Sequence, residues 1–226
     1  MVKPFQADES KYIFTEGIDY SKTSKNSIWG DEDISTINIL KKLVKPNSKW
    51  VNLASGDGRY NSLIAQIAKE VIDVDIDEGA LHKLYENTPN DIKNKLVLKS
   101  FNIVKPFPLE SDTYDGLFSS GTLYLFPEDV FINIAQEISR ILKVGGYIAL
   151  EWAINIKRVS PAGKPVVFGT EPLYDRDRAI NVIHKAFPNY EIKFIDGEKI
   201  YSEESEANPP YKFYCDTLLI EGRKIQ

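Results

Sequence analysis

A chain of 226 residues, 42% hydrophobic and 27% charged, has the size and balance of one globular domain with a substantial core. Its net charge of −5 argues against extended nucleic-acid contact, which calls for a surplus of lysine and arginine. No run approaches the roughly 20 apolar residues of a spanning helix. A single cysteine, Cys215, excludes internal disulfides and a thiolate metal cluster, so no metal site is expected. The opening MVKPFQADESKY lacks the apolar stretch of a secretion signal, and a cytoplasmic location is expected.

Residues 1–30 carry Phe5, Tyr12, Phe14, Tyr20 and Trp29 among polar neighbours. A disordered tail holds fewer aromatics, so an irregular arm folded over the domain is expected. Asp31 or Asp33 then caps a helix bearing Ile34, Ile37, Leu40, Leu43 and Val44, stopped by Pro46. WVNLASGDGRY at 50–60 runs from apolar into small residues and the pair Gly56 and Gly58, and Leu63, Ile64, Ile67 and Ala68 follow at helical spacing. That is a strand, a tight glycine turn and a helix, whose N-terminus offers N–H groups to a ligand over the turn. EVIDVDID at 70–77 is a second strand ending in Asp75, 19 residues beyond Gly56. Nucleotide-binding α/β folds place a ribose-binding acid near that distance. The third glycine of a dinucleotide fingerprint is replaced by Asn61, which disfavours a nicotinamide cofactor.

A short helix with Leu81, Leu84 and Tyr85 follows, closed by Asn87 and Pro89. LVLKS at 96–100 is a third strand, and Pro106 and Pro108 keep the loop from Phe101 to Asp112 out of a helix. Tyr114 to Ser119 is a fourth strand. A helix from about Pro127 to Leu142 buries Val130, Phe131, Ile134, Ala135, Ile138 and Ile141, with Gly145 and Gly146 at its exit. Strand five is Tyr147 to Trp152. A loop is expected over 153–173, a helix over about 175–187 and two strands near 190–200 and 212–221. Strands alternating with helices predict a doubly wound, mostly parallel α/β sheet, and the last two strands an antiparallel edge pair.

VNLASGDGR at 51–59 resembles the first motif, V-L-D-x-G/A-x-G-x-G-R, of the class I S-adenosylmethionine-dependent methyltransferases, especially those of type 11 acting on small molecules. VDIDEGAL at 74–81 is similar to the second motif. Residues 101–126 resemble the adenine-binding loop and fourth strand, and ISRILKVGGYIALEW at 138–152 the helix, glycine turn and fifth strand. The resemblance implies a seven-stranded Rossmann-like sheet with an antiparallel last strand and helices on both faces. It also implies S-adenosylmethionine as cofactor and one domain over 1–226, with an arm or lid (1–33), a cofactor core (34–152) and a substrate-side half (153–226).

By resemblance, Ala54, Ser55, Gly56 and Gly58 line the methionine and ribose side, with Asn52 and Ser119 at neighbouring strand ends. Asp75 takes the ribose hydroxyls and Ile76 packs on adenine; Asn102 serves the base through its carbonyl and Ile103 covers it. Asn52 and Asn102 stand where the family has aspartates, and Ala54 where it has glycine. The asparagines cost charge at the cofactor, whereas the alanine is expected to cost little. Tyr124 and Glu151 are the candidates for the acceptor side and for any base, and Tyr20 and Trp29 for the lid. His82 and His184 fall inside helices away from the strand ends. The expected activity is methyl transfer to a small molecule. An RNA or protein acceptor, motivated by Lys157, Arg158 and Lys164 and by NPPY at 208–211, and a catalytically silent cofactor-binding module are the alternatives. NPPY lies far from the fourth strand that carries this sequence in amino methyltransferases, and a proline turn accounts for it.

Overall fold

The computed structural model describes residues 19–23, 27–28, 30–167, 171–205 and 209–226. Its centre is a seven-stranded sheet in the order β3-β2-β1-β4-β5-β7-β6. The strands are β1 (Lys49–Leu53), β2 (Glu70–Asp75), β3 (Leu96–Ser100), β4 (Tyr114–Ser120), β5 (Leu142–Val159), β6 (Tyr190–Glu204) and β7 (Tyr211–Lys224). The first five pair in parallel, and β7 lies antiparallel between β5 and β6. This is the doubly wound sheet expected from the alternating pattern.

The helices are α1 (Ile34–Leu43), α2 (Asn61–Ile67), α3 (Glu78–Asn87), α4 (Glu128–Ile141) and α5 (Arg176–Ala186). Carboxylates cap three of them at the expected kind of position: Asp33 accepts from the Thr36 amide, Asp77 from Gly79 and Ala80, and Asp175 from Arg178. Strand alternation sends Trp50, Val71, Phe118 and Ala149 to one core with α1 and α2. Val51, Leu53, Leu117, Ile148 and Leu150 go to a larger one under α4 and α5.

Two expectations are corrected. Strand five does not stop at Trp152: β5 continues to Val159, through residues assigned to a loop. The alternation that sustains it (Ala153, then Ile156 and Arg158 buried) is interrupted by a bulge between Ile154 and Lys157, and this hides the period. Strands β6 and β7 are also longer than expected and bulge between Asp196 and Lys199. Past the bulges the three strands form an antiparallel extension that rises beyond the parallel sheet. The loop from 101 to 113, by contrast, is held down by Arg140 of α4, which donates to the carbonyls of Phe107 and Leu109, both at 2.9 Å.

Phe131 links the helical layer to the sheet. It is fully buried and meets Trp152 edge-on at 4.9 Å and Phe187 at 6.1 Å. Phe131→Ala removes that ring from a packed site and is expected to cost about 3–5 kcal/mol, read as a lowered urea midpoint at unchanged slope.

Candidate functional site

The carboxyl ends of β1, β2, β4 and β5 open into one cavity of about 480 Å³, roofed by the β5–β7–β6 extension. Ligand crevices in α/β sheets lie at this edge, where strand order reverses, here between β1 and β4.

On the cofactor side the chain turns sharply after β1. Gly56 has φ +54° and Gly58 φ +91°, the left-handed region that favours glycine. The turn points the Gly56 N–H at Asp75 Oδ2, 2.8 Å away, while Asp75 Oδ1 accepts from the Asp77 N–H at 3.0 Å. Burial pushes the Asp75 carboxyl up, and these N–H groups pull it back. Asn52, Ala54, Ser55, Ile76 and Ile103 line the same cavity, as do Phe101 and Asn102. Gly58 and Ser119 do not. Gly58 sits under the turn, where a Cβ would come 2.7 Å from Leu84 Cγ, so it serves backbone geometry and packing on α3. Ser119 points into the protein, 1% exposed, and its neighbour Ser120 faces the cavity instead. Asn102 Oδ1 accepts from the Val104 N–H at 3.1 Å; the carbonyl expected to meet the base holds the loop turn.

Ala54 also departs from expectation. Its φ is +55°, a conformation costing an L-residue about 1–2 kcal/mol, so alanine at the family's glycine position is strained.

Asn52 Nδ2 donates to Asp73 Oδ1 at 2.9 Å, across the β1–β2 pair. Asp73 is fully buried, and desolvation drives its pKa up to about 8 against the pull of Asn52. Asn61 Nδ2 donates to Thr88 Oγ1 at 3.1 Å, and Thr88 donates on to the Leu84 carbonyl. This turns the Asn61 carbonyl oxygen to within 2.9 Å of Asp73 Oδ1, a contact that a proton on Asp73 makes into a hydrogen bond. An ionised Asp73 requires the Asn61 amide turned over so that its nitrogen donates. Nothing in the spelling of β2 marks this residue; it reads as part of an apolar strand.

The middle of the cavity is tied together by Glu151. Its Oε1 accepts from Arg59 Nη2 and Ser120 Oγ, both at 2.9 Å; its Oε2 accepts from Tyr60 Oη at 2.9 Å and Thr36 Oγ1 at 3.1 Å. With four donors on it, one of them the Arg59 guanidinium, Glu151 is an organising carboxylate. The expected role of general base does not fit that arrangement. Tyr60, which accepts the Asp33 N–H, and Asp57, which accepts from Ser27 Oγ and the Ile28 N–H at 2.7 and 2.8 Å, fasten the arm to the glycine turn, and Arg59 ties that turn to β4 and β5; neither Arg59 nor Tyr60 was given a role from sequence. The arginine of the motif was the available signal.

Tyr124 lines the cavity, its ring edge-on to Trp152 at 6.4 Å. Burial pushes its pKa far up, so the phenol keeps its proton and acts as a donor. Tyr20 also lines the cavity, in a short 3₁₀ turn beside α3; Trp29 lies outside the described residues. Arg158 is no surface charge. It is buried in the cavity wall, bidentate to Glu171 at 2.5 and 3.0 Å. His82 sits on exposed α3, 3.2 Å from Glu86, and His184 packs on Phe194. Neither lines the cavity. Of NPPY, Asn208 lies outside the described residues, and Tyr211 lines the wall. Among the described residues no group of acids, His or Cys is arranged to hold a metal ion, and no helix is long and apolar enough to cross a membrane.

Residues 51–150 match the family model described as a methyltransferase domain. That stretch is similar to a methyltransferase domain, and the sheet around it has the fold of the S-adenosylmethionine-dependent methyltransferases. The seven-stranded sheet, mostly parallel with an antiparallel edge pair, is the sheet of that fold. Similar solved structures include DhpI, solved as its complex with SAH (11% identity, TM-score 0.57, 83% of this chain and 80% of that one). A methyltransferase from Thermotoga maritima aligns at 19% identity and TM-score 0.57 over 84% and 88%. The [4+2]-cyclase SpnF aligns at 12% and 0.60 over 88% and 85%. At such identities the likeness is one of fold. A search of curated proteins finds no match.

The methyltransferase cofactor fits the residues present. An acid stands at the ribose position, apolar Ile76, Phe101 and Ile103 flank the place of the base, and the buried Ser55 hydroxyl has no protein partner.

Two outcomes follow from these observations. Because native Asp73 binds its proton up to about pH 8 and the unfolded one only to about pH 4, stability falls as pH rises between those values. Asp73→Asn keeps the hydrogen bonds of the protonated acid. It is expected to flatten this decline, so its urea midpoint at pH 8.5 exceeds that of the native chain while the two converge near pH 5. Ala54→Gly relieves the left-handed strain and is expected to raise stability by about 1 kcal/mol, measured by the same unfolding curves.

Proposed function

We propose that this methyltransferase acts on a small molecule lodged between the glycine turn and the β5–β7–β6 extension. The observation that carries the reading is the single cavity: Asp75 and Gly56 line one end of it and Arg158, Tyr211 and Phe213 the other. Its volume of about 480 Å³ lies within the range of small-molecule sites, roughly 300–1,000 Å³. Arm, cofactor half and substrate-side half are read as one domain acting at that cavity.

S-adenosylmethionine, when bound, supplies a methyl group already activated on a sulfonium, so the chain's part is alignment and exclusion of water. Asp75 offers its carboxylate to the ribose hydroxyls while Gly56 and Asp77 fix its plane. Ile76, 36% exposed at the rim, gives the base an apolar face. The Tyr124 phenol donates to the acceptor, and Arg59, held by Glu151 and Ser120, fixes the floor between the halves. An RNA acceptor loses its main support, because Arg158 is buried against Glu171 and presents no charge to phosphate.

Millimolar S-adenosylhomocysteine is expected to raise the melting temperature, as a ligand of the native state does. Asp75→Ala removes charge-assisted hydrogen bonds worth about 1.5–3 kcal/mol and is expected to weaken that ligand by about 10–100-fold in calorimetry. An absent thermal shift, or full affinity in the variant, overturns the reading.

A further inference from the structure

We propose that the acceptor half of the cavity receives an organic amine as its cation, and excludes acids and phosphate esters. Naming this the acceptor half rests on the methyl-transfer reading above; the charge preference itself is a property of the wall.

Strand alternation sorts the wall's charges. On β6 Ile200, Ser202 and Glu204 face the cavity, with Glu198 exposed in the bulge at its mouth and Tyr201 at its edge, and on β7 Tyr211, Phe213, Cys215 and Thr217 do so. The registers Ile200↔Cys215, Ser202↔Phe213 and Glu204↔Tyr211 bring the two rows together on one face. The lysines go outward: Lys199 pairs with Asp216 at 3.7 Å and Lys212 with Glu203 at 2.9 Å. Bulges in β5 and β6 leave this sorting intact past the turn of the sheet.

Two cations remain inside, and both are neutralised. Arg158 and Glu171 form a bidentate pair with side chains 3% and 0% exposed; Arg59 is paired with Glu151. An incoming anion would have to compete with a buried carboxylate for either guanidinium, and breaking such a pair leaves a buried charge uncompensated. The carboxylates of this wall are different. Glu198 and Glu204 pair with no lysine or arginine among the described residues; Glu204 accepts only the Ser202 hydroxyl. An entering ammonium therefore meets negative charge without displacing anything.

The apolar part of the wall agrees. The Arg158 guanidinium already covers one face each of Phe213 and Tyr211, at 5.2 and 5.8 Å, while the rings of Tyr124 and Phe126 line the space beside them. Aromatic faces with carboxylates are the chemistry that recognises organic ammonium ions. Independently, the Thr217 hydroxyl, in a residue 4% exposed on the same inward row, has no hydrogen-bond partner. It is an acceptor for an N–H of the ligand.

For transfer, the ammonium first loses one proton to solvent. The freed nitrogen lone pair forms the bond to the methyl carbon as the carbon–sulfur bond breaks, and that bond's electron pair stays on sulfur, which becomes a neutral thioether. The methylated nitrogen carries the positive charge away. Charge and protons balance without a further reactant.

The test is calorimetric titration of phenethylamine, 2-phenylethanol and phenylacetate, with and without saturating S-adenosylhomocysteine. Phenethylamine is expected to bind at least tenfold tighter than the alcohol, and phenylacetate weakest. The double variant Glu198→Gln/Glu204→Gln should bring the amine to the level of the alcohol while leaving S-adenosylhomocysteine affinity unchanged. Equal or absent binding of the three probes, or an amine preference that survives the double variant, overturns the proposal. Loss of S-adenosylhomocysteine binding in the native chain alone counts against the methyl-transfer reading, and the amine series without it still decides the charge preference.

Discussion

The contact on which the cavity depends is the buried pair between Arg59 and Glu151. Each partner comes from a different part of the fold, the arginine from the turn after β1 and the glutamate from the middle of β5. Glu151 also gathers a hydroxyl from α1, one from the turn and one from β4. A buried ion pair seldom adds much stability over well-packed apolar groups, but deleting one partner costs about 3–5 kcal/mol. Its effect here is positional. The four donors fix where the glycine turn stands relative to β4 and β5, and hence the span between the cofactor residues and the acceptor wall. Tyr60 extends the same network outward by accepting the Asp33 N–H at 2.9 Å, so the start of α1 is registered against the site as well.

The wall itself follows from a different constraint. Parallel strands end where their crossover helices begin, and β1 to β4 are accordingly short. β5 is released from that limit because its far neighbour, β7, is antiparallel and returns through a hairpin from β6. Three strands then grow past the carboxyl edge of the sheet, with one face to solvent and one to the cavity. The period of two that such a ribbon imposes is what separates the outer lysines from the inner aromatic and acidic row.

How much of this was legible depends on the kind of burial. β1, β2 and β4 are covered on both faces and their buried stretches are largely apolar, as in Trp50 to Leu53 or Val71 to Val74, so their places could be read. The helices showed their apolar sides, and the acid at Asp75 showed its distance from Gly56. The extension of β5 through Asn155 and Lys157 could not be read, because a half-exposed strand with a bulge has neither a run nor a clean alternation. Glu151 looked like a free base since its partners lie up to 115 residues away in sequence. Gly58 and Ser119 were assigned to the ligand by motif position, whereas the folded turn packs Gly58 against Leu84 and the strand buries the Ser119 side chain.

The acid missing from β1 shows how misleading a position-by-position comparison can be. Asn52 reads as a lost charge, yet a carboxylate stands beside it on β2, and the two are hydrogen bonded across the strand pair. The carboxyl group stands one strand nearer the sheet edge, on β2, yet it is fully buried, and there desolvation outweighs the single donor from Asn52. Burial thus favours the protonated acid, and Asn52 and Asn61 stand within hydrogen-bonding reach of it. Asp75 is the carboxylate whose two oxygens are aligned by backbone N–H groups, and Asp31, Glu32, Asp33 and Asp77 line the same cavity. A sulfonium or ammonium group entering this half is met by an oriented carboxylate backed by a hydrogen-bonded layer in which burial disfavours a further charge.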